Sequence, residues 1–452
     1  MRTGLTNEQL LTGDIKDGLL KLAIPLMFLN LINAFYSVVD TYFIGQMGEL
    51  QVGALTLVSP IMNCGVAFAS GLSAAGVALI SRSIGQGNRD KACDIATHLI
   101  GLCVFLGIAI GLISFTFADP ILHWLETPAD IYHDTLAYFL GISFDYLFLF
   151  LLTMFQCIRQ SNGDTKTGVK LNALAAILNI ILDPIFIFGL DLGTLGAALA
   201  TTLSKVLVSP IILYLLINDH SNITISFKCY RFKLDLMKKI VKIAIPASLG
   251  QFLSSFGFVI MSKSIVAYGS IAMSAYGIGN NICNIFYIPV NGIGAALSTF
   301  IGQNLGNNNP ERAKLCFHKA SQLMTIIAAI VTIIGLFSAK FLINVFIRDI
   351  SPALMALALE YSYYSIATAY FMGWFQDLSG VFDGSGNTSI TMILSTVRLW
   401  GLRIPMIYLF GKYTSFGPTG IWWSMIISNF IICITGQILY YVYPWTKKGA
   451  TI

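Results

Sequence analysis

The sequence predicts an all-α membrane protein with twelve transmembrane helices in two six-helix lobes, related by a pseudo-two-fold axis along the membrane normal. Three observations support this prediction. Of the 452 residues, 56% are hydrophobic and only 11% are charged, which is far from the composition of a soluble domain. Apolar segments of about twenty residues, enough to cross a hydrocarbon core of roughly 30 Å, recur along the whole chain. The two halves of the chain also repeat one another.

Twelve apolar segments are expected to form the transmembrane helices. Their expected ranges are 19–44, 52–81, 94–117, 131–158, 168–188, 194–217, 240–268, 272–303, 317–341, 353–382, 389–410 and 419–443. The first segment contains Pro25 and Asp40 and is followed by no small-residue cleavage site. It is therefore expected to remain as a helix and not to be removed as a signal peptide.

The basic residues are concentrated in alternate loops. Lys and Arg cluster after the second, fourth and eighth segments and between the sixth and seventh, whereas the other loops have almost none. Because cytoplasmic loops are enriched in Lys and Arg, we expect a multi-pass protein of the plasma (inner) membrane with both termini in the cytoplasm. The net charge of +5 then reflects membrane sidedness, and no nucleic-acid partner is expected.

The internal repeat has an offset of 221 residues, which places Leu22–Pro25 over Ile243–Pro246. The match continues for about seventy residues, and the likeness resumes where Gly163–Thr165 answers Gly386–Thr388. Six helices per half is an even number, so both copies have the same orientation in the membrane, as in parallel-repeat transporters. The expected domains are a first lobe at 1–217, a cytoplasmic interlobe linker at 218–239 and a second lobe at 240–452.

Four polar residues of the first lobe are candidates for binding a coupling ion. Asp40 and Asp183 lie inside expected helices, where an ionisable group is a functional candidate by default. Asn179 is four residues from Asp183 and shares its helix face, and Thr201 adds a hydroxyl from the next segment. These oxygens suit Na⁺. They also suit a proton, because two carboxylates in a low-dielectric pocket do not readily both ionise.

Other residues inside the first-lobe segments have open interpretations. Pro184 removes a backbone donor and is expected to free a carbonyl oxygen beside Asp183. Asp145 and Lys205 either form a buried pair or reach the surface. The eight cysteines lie mostly in or beside helices without CxxC spacing, so neither disulfides nor a zinc site is indicated.

The second lobe has a different set of internal charges. Met261 occupies the register position of Asp40, and the charged residues are Lys263, Asp377, Arg398 and Arg403. We expect Lys263, Asp377 and Arg398 to form a charge network. In it, Asp377 pairs with Arg398 or Lys263 as a structural tie or as a gate.

Taken together, these features resemble a known family, multidrug and toxic compound extrusion (MATE), and within it the branch of DNA-damage-inducible protein F. The resemblance rests on the two-lobe plan and on three sequence features: Ser37–Gly45, the repeated Gly-rich loop after the second and eighth segments, and Gly163–Lys166. In similar proteins the first-lobe cation or proton site falls on the positions of Asp40, Asn179, Asp183 and Thr201. The resemblance also implies that Tyr36, Tyr138 and Gln156 line or adjoin the substrate cavity.

The resemblance implies secondary active transport. The expected activity is antiport of small organic compounds, often cationic and amphipathic, against Na⁺ or H⁺ by alternating access. It implies a monomer in the lipid bilayer with no catalytic residue, no enzymatic activity and no cofactor besides the coupling ion. The second lobe departs from the family pattern, because Gln251 and Lys263 stand where another branch has a carboxylate, so a second-lobe cation site is not expected.

Three alternatives have less support. A flippase for lipid-linked sugars or polysaccharides, from the same superfamily, would need a strongly basic cavity, and only Lys205, Lys263, Arg398 and Arg403 are available for one. An intramembrane aspartyl protease would need its helix motif, which the sequence lacks. A channel would not need two rocking halves.

Overall fold

Helices make up almost all of the described chain, and no strand occurs in it. The computed structural model describes residues 5–47, 49–124, 127, 129–219, 223–225, 233–346 and 351–448. Within the helices, the side chains of residues 7, 37, 38, 40, 41, 45, 47, 49–57, 60, 130, 266, 270, 345, 346, 447 and 448 lie outside the described part.

The first half of the chain forms helices α1 to α9. Their bounds are α1 Asn7–Thr12, α2 Ile15–Met47, α3 Glu49–Gly85, α4 Arg89–Thr116, α5 Ala118–Trp124, α6 Ala129–Ser143, α7 Asp145–Ser161, α8 Thr165–Pro184 and α9 Gly193–Asn218. A π-helical segment, Ile185–Gly189, directly follows α8.

The second half forms helices α10 to α18. Their bounds are α10 Leu234–Val266, α11 Ser270–Gly306, α12 Pro310–Phe346, α13 Pro352–Ala367, α14 Ala369–Gly384, α15 Thr388–Thr396, α16 Ile404–Tyr413, α17 Thr419–Val442 and α18 Trp445–Lys448. A second π-helical segment, Val397–Arg403, joins α15 to α16.

Two of the twelve expected membrane segments are broken helices. In the described chain, ten helices are long and apolar enough to cross a membrane, and α6 with α7, bent by 45°, makes eleven. The tenth expected segment, 353–382, is formed by α13 and α14, each of 16 residues. They are separated at Thr368, whose hydroxyl and that of Tyr287 lie 3.1 Å apart.

The outer surface of the helices is strongly apolar. Phe105, Phe337 and Phe341 are 67%, 86% and 68% exposed, respectively. Such residues are unfavourable in water and favourable against lipid chains. The exposed faces are therefore those expected of a membrane-spanning bundle.

The sequence repeat is visible in the turns that start corresponding helices. The Asn88 side chain accepts a hydrogen bond from the backbone N–H three residues later, at 2.9 Å, and caps α4. Asn309 caps α12 in the same way at 3.0 Å. Gly163 and Gly386, before α8 and α15, have φ of +83° and +80°, which glycine adopts without steric cost.

The described chain divides into two compact units. The first unit comprises Met1–Asn7 and Phe28–Ser248, and the second comprises Glu8–Met27 and Leu249–Ile452. Compared with the expected domains, the beginning of α2 groups with the second lobe, and the expected linker and the beginning of α10 group with the first.

Close helix packing gives the physical reason for this exchange. A Cβ atom at Gly292 of α11 would lie 2.6 Å from Met27 Cγ, and one at Gly71 of α3 would lie 1.9 Å from Ser248 Oγ. These two contacts are equivalent under the 221-residue repeat. Gly292 lets the start of α2 pack closely against α11 within the second unit. Gly71 lets the start of α10 pack closely against α3 within the first unit.

Candidate ion-coupling and substrate site

Helix α8 buries an amide and a carboxyl group on one face. Asn179 and Asp183 are 1% and 0% exposed, and Asn179 Nδ2 donates a hydrogen bond to Asp183 Oδ1 at 3.1 Å. Their spacing of four residues brings them one above the other. Directly after Pro184 the helix becomes π-helical, a geometry that often occurs at functional sites.

Two further helices bring hydroxyl groups to this pair. Thr201 of α9, which is 5% exposed, accepts a hydrogen bond from Asn179 Nδ2 at 3.4 Å. The hydroxyl of Tyr36 in α2 lies 3.0 Å from Thr201 Oγ1. The structure thus brings together Tyr36, Asn179, Asp183 and Thr201, which are called the first-lobe cluster below.

The first-lobe cluster offers oxygen ligands in a buried place. It holds a carboxylate, an amide oxygen and two hydroxyls, which suit a hard cation such as Na⁺. Asn179 Oδ1 has no hydrogen-bond partner among the described residues. Because a buried polar atom without a partner is costly, that oxygen fits a place beside a bound cation. The same carboxyl group suits a proton.

Asp40 was expected to complete this site. It follows Tyr36 by four residues in α2, but its side chain lies outside the described part of the structure. Its membership of the site stays a prediction.

A buried ion pair lies close to the cluster along α9. Lys205 follows Thr201 by one helical turn, and its Nζ donates to Asp145 Oδ2 at 2.5 Å. The Lys205 side chain is 16% exposed and that of Asp145 is 4%. Of the two interpretations left open by the sequence, the structure therefore shows the buried pair.

The two other expected cavity residues lie in different surroundings. Tyr138 is 4% exposed and packs in an apolar cluster with Ile44 and Phe139. Gln156 accepts a hydrogen bond from Asn172 Nδ2 at 3.4 Å, two turns before Asn179. The role of Tyr138 and Gln156 in a substrate cavity stays a prediction.

The expected charge network of the second lobe requires correction. Lys263 is exposed, and within the described residues no ion pair joins it or Arg398 to Asp377. Asp377 is fully buried and faces the Ser321 hydroxyl of α12. Neither of its carboxyl oxygens has a hydrogen-bond partner among the described residues.

The helix face explains why Asp377 and Arg398 do not meet. Gly373, four residues before Asp377, abuts Met324 of α12, so this face of α14 points toward α12. The guanidinium of Arg398 instead lies over the Phe375 ring, 4.6 Å from its centroid, and therefore against another face of α14.

Sequence reasoning missed the partners of Arg403. Its Nε donates to Ser428 Oγ at 3.1 Å and its Nη2 donates to Asn429 Oδ1 at 2.8 Å. Both acceptors are in α17 and are buried. The available signal was the pair of adjacent polar residues, Ser428 and Asn429, in the middle of a long and mostly apolar segment.

Comparison with known proteins shows that the chain as a whole is similar to membrane transporters. The model of the MatE family matches residues 25–185 and 246–409. The probable multidrug resistance protein YoeA of Bacillus subtilis is 24% identical over 443 residues, covering 95% of this chain and 94% of that protein. The multidrug export protein MepA of Staphylococcus saprophyticus is 24% identical over 429 residues, covering 94% and 93%.

Solved structures share the fold. A crystal structure of a MATE protein in complex with MaL6 superposes with a TM-score of 0.93 at 22% identity, covering 99% of this chain and all of that one. The predicted all-α fold of twelve membrane helices in two lobes is confirmed by this match and by the described helices.

Proposed function

We propose that this chain, which belongs to the MatE family of multi-pass membrane transporters, expels organic compounds in exchange for Na⁺ or H⁺. The observation that carries the proposal is the first-lobe cluster. In it a fully buried carboxyl group, Asp183, is held by Asn179 beside the hydroxyl of Thr201. Membrane carboxyl groups are costly and typically serve ion or proton pathways.

Coupling would act through the hydroxyl of Thr201. That oxygen is shared by Asn179 of α8 and Tyr36 of α2. A cation that takes the oxygens of Thr201 and Asp183 competes with the hydrogen bond between the hydroxyls of Tyr36 and Thr201. A proton on Asp183 turns one of the two carboxyl oxygens of Asp183 from a hydrogen-bond acceptor into a donor. Either event alters how α2 is held, and α2 contributes residues to both compact units.

Transport by alternating access requires that the ion and the substrate favour different conformations, because a ligand shifts an equilibrium only through its differential affinity. We propose that ion binding in the first lobe favours the conformation that releases the substrate outside. Asp40, one turn after Tyr36, is proposed to add a second carboxylate to the site.

The proposed substrates are small amphipathic compounds, often cationic, because aromatic faces attract organic cations. Tyr36, Tyr138 and Gln156 are the proposed cavity residues. We propose a monomer in the plasma (inner) membrane with both termini cytoplasmic, since one chain supplies both lobes. No enzymatic reaction and no organic cofactor are proposed. A flippase for lipid-linked sugars is not favoured, since the relatives described above are named for multidrug resistance and export.

The test is efflux of a fluorescent organic cation, ethidium, from proteoliposomes under an imposed Na⁺ or H⁺ gradient. The gradient that drives efflux of the wild-type protein identifies the ion. Asp183→Asn and Asp40→Asn are expected to abolish the gradient dependence, since each removes a carboxylate from the proposed site.

Asp191→Asn is the matched control. Asp191 is exposed and has φ of +53°, a conformation that asparagine adopts readily. Its efflux should equal that of the wild type. Efflux that ignores both gradients, or that persists unchanged in Asp183→Asn, would refute the proposal.

A further inference from the structure

The second lobe buries two guanidinium groups for which the described residues provide no carboxylate partner. Arg398 and Arg403 are 6% and 2% exposed. Among the described residues, neither lies within 4.0 Å of an Asp or Glu oxygen. Buried charges in proteins are normally paired, so an anion is the partner that this arrangement would accept.

The described residues offer the guanidinium of Arg398 only weak partners. Its Nη1 contacts Met372 Sδ at 3.0 Å, and the guanidinium lies over the Phe375 ring. Its Nε is buried and has no hydrogen-bond partner among the described residues. A guanidinium has five N–H donors, and a thioether is a weak acceptor, so this group is available to a stronger one.

Arg403 is oriented by neutral groups. Ser428 and Asn429 of α17 take two of its donors and do not neutralise its charge. The phenol rings of Tyr276 and Tyr361 lie near its charge and pack on Trp422, with ring centroids 6.3 and 4.7 Å from the Trp422 ring.

A third donor in this region also lacks an acceptor. The indole Nε1 of Trp422 is buried without a hydrogen-bond partner in the described part of the chain. Trp422 precedes Asn429 by seven residues and therefore lies on the same face of α17. Arg398 and Arg403 also lie five residues apart in one π-helical segment, whose i→i+5 hydrogen bonding places the two like charges on the same side of it. An anion between these donors would relieve both the repulsion and the missing hydrogen bonds.

We propose that Arg398 and Arg403 form an anion-binding site in the second lobe that takes a carboxylate or phosphate group of the transported compound. Guanidinium groups bind both anions through pairs of parallel hydrogen bonds. The preferred substrates are then amphipathic compounds that carry an anionic group, zwitterions included, and organic cations without one bind more weakly. This inference rests on the proposed transport function and narrows its substrates.

The test compares two dyes that differ at one group. Rhodamine B has a free carboxyl group, and rhodamine B ethyl ester has that group blocked. Binding of each to the detergent-solubilised full chain is followed by fluorescence polarisation. The wild type should bind the free acid about tenfold more tightly than the ester, the effect of hydrogen bonds to a charged group.

Arg398→Met should remove this preference and leave the affinity for the ester unchanged, because methionine keeps the apolar stem and loses the charge. Arg403→Met should act in the same direction. Lys263→Met is the matched control, since it removes the same charge from an exposed position of the same lobe, and it should keep the preference. Retained ester binding shows that each variant is folded. If Arg403→Met does not fold, Arg398→Met decides.

Equal affinities of the wild type for the two dyes, or equal losses for both dyes in Arg398→Met, overturn the inference. A thermal shift of the wild type by inorganic phosphate that is absent in Arg398→Met, together with equal dye affinities, would assign the site to a free anion and also overturn it. Failure of transport is distinguishable: a wild type that prefers the free acid but moves neither dye under any ion gradient contradicts only the proposed function.

Discussion

The fifth membrane segments of the two lobes share a backbone plan and differ in charge. Both begin after a glycine with positive φ, Gly163 or Gly386, and both contain a π-helical segment next to a proline, Pro184 or Pro405. Between the turn and the π-helical segment, the first copy buries an amide and a carboxyl group. The second copy carries two buried guanidinium groups, those of Arg398 and Arg403, inside its π-helical segment.

This difference separates what the repeat needs for folding from what each lobe does. Turn residues and close-packing glycines are retained in both copies because the backbone path requires them. Buried polar residues are costly in a membrane, so their divergence points to different ligands. The first lobe offers oxygens to a cation or proton, and the second offers N–H donors to an anion.

The largest expected effect compares the two buried aspartates. Asp183→Asn should abolish the acceleration of efflux by the ion gradient, about 5- to 150-fold for typical coupling energies, because it removes the carboxylate of the first-lobe cluster. Asp377→Asn should leave the coupling intact, since Asp377 faces the Ser321 hydroxyl of α12 and does not belong to the first-lobe cluster. The measurement is ethidium efflux from proteoliposomes at matched protein density.

The assignment of ion coupling to the first lobe would be contradicted if Asp377→Asn lost the gradient dependence of efflux and Asp183→Asn kept it. In that case the second lobe, not the first, would hold the coupling site. The exposed Asp191→Asn variant again serves as the control for loss of charge.

An effect on stability, and not on transport, is expected from the buried ion pair of the first lobe. Lys205→Met leaves the buried carboxylate of Asp145 without its partner, and breaking such a pair costs about 3–5 kcal/mol. The thermal unfolding temperature of the purified protein should therefore fall clearly.

The double variant Lys205→Met with Asp145→Leu is the control. It replaces the pair by apolar groups of similar size, which is often neutral or stabilising. Its unfolding temperature should return toward that of the wild type. A double variant as unstable as Lys205→Met would show that packing and not the unpaired charge causes the loss.

The sequence was sufficient for the fold and for most of the first-lobe cluster. Hydropathy predicted the membrane segments because lipid demands about twenty apolar residues per helix. Asn179 and Asp183 were predictable from their spacing along one helix. The meeting of Tyr36 with Thr201 depends on how three helices pack, and only the resemblance to a family suggested it.

The second lobe shows why the remainder could not be predicted. Composition placed Asp377 and Arg398 in neighbouring segments and suggested a pair. Their separation depends on the rotation of α14, which close packing at Gly373 against Met324 determines. The break of predicted helix 10 at Thr368 was equally hidden, because the hydrogen bonds of Tyr287 that accompany it join residues far apart in sequence.

The smallest expected effect tests what the two lobes have in common. Gly163→Ala and Gly386→Ala each force a Cβ into a positive-φ conformation and should each destabilise the protein by about 1 kcal/mol. Gly277→Ala is the matched control, because Gly277 lies inside α11 with no atom within 4 Å of the added Cβ. Alanine there should be neutral or stabilising by up to about 1 kcal/mol. Thermal unfolding of the three variants measures these differences. Equal losses at the two turns would show that the duplicated backbone still makes the same demand in both lobes, whereas a loss at only one turn would show that the lobes have diverged in their framework as well as in their buried charges.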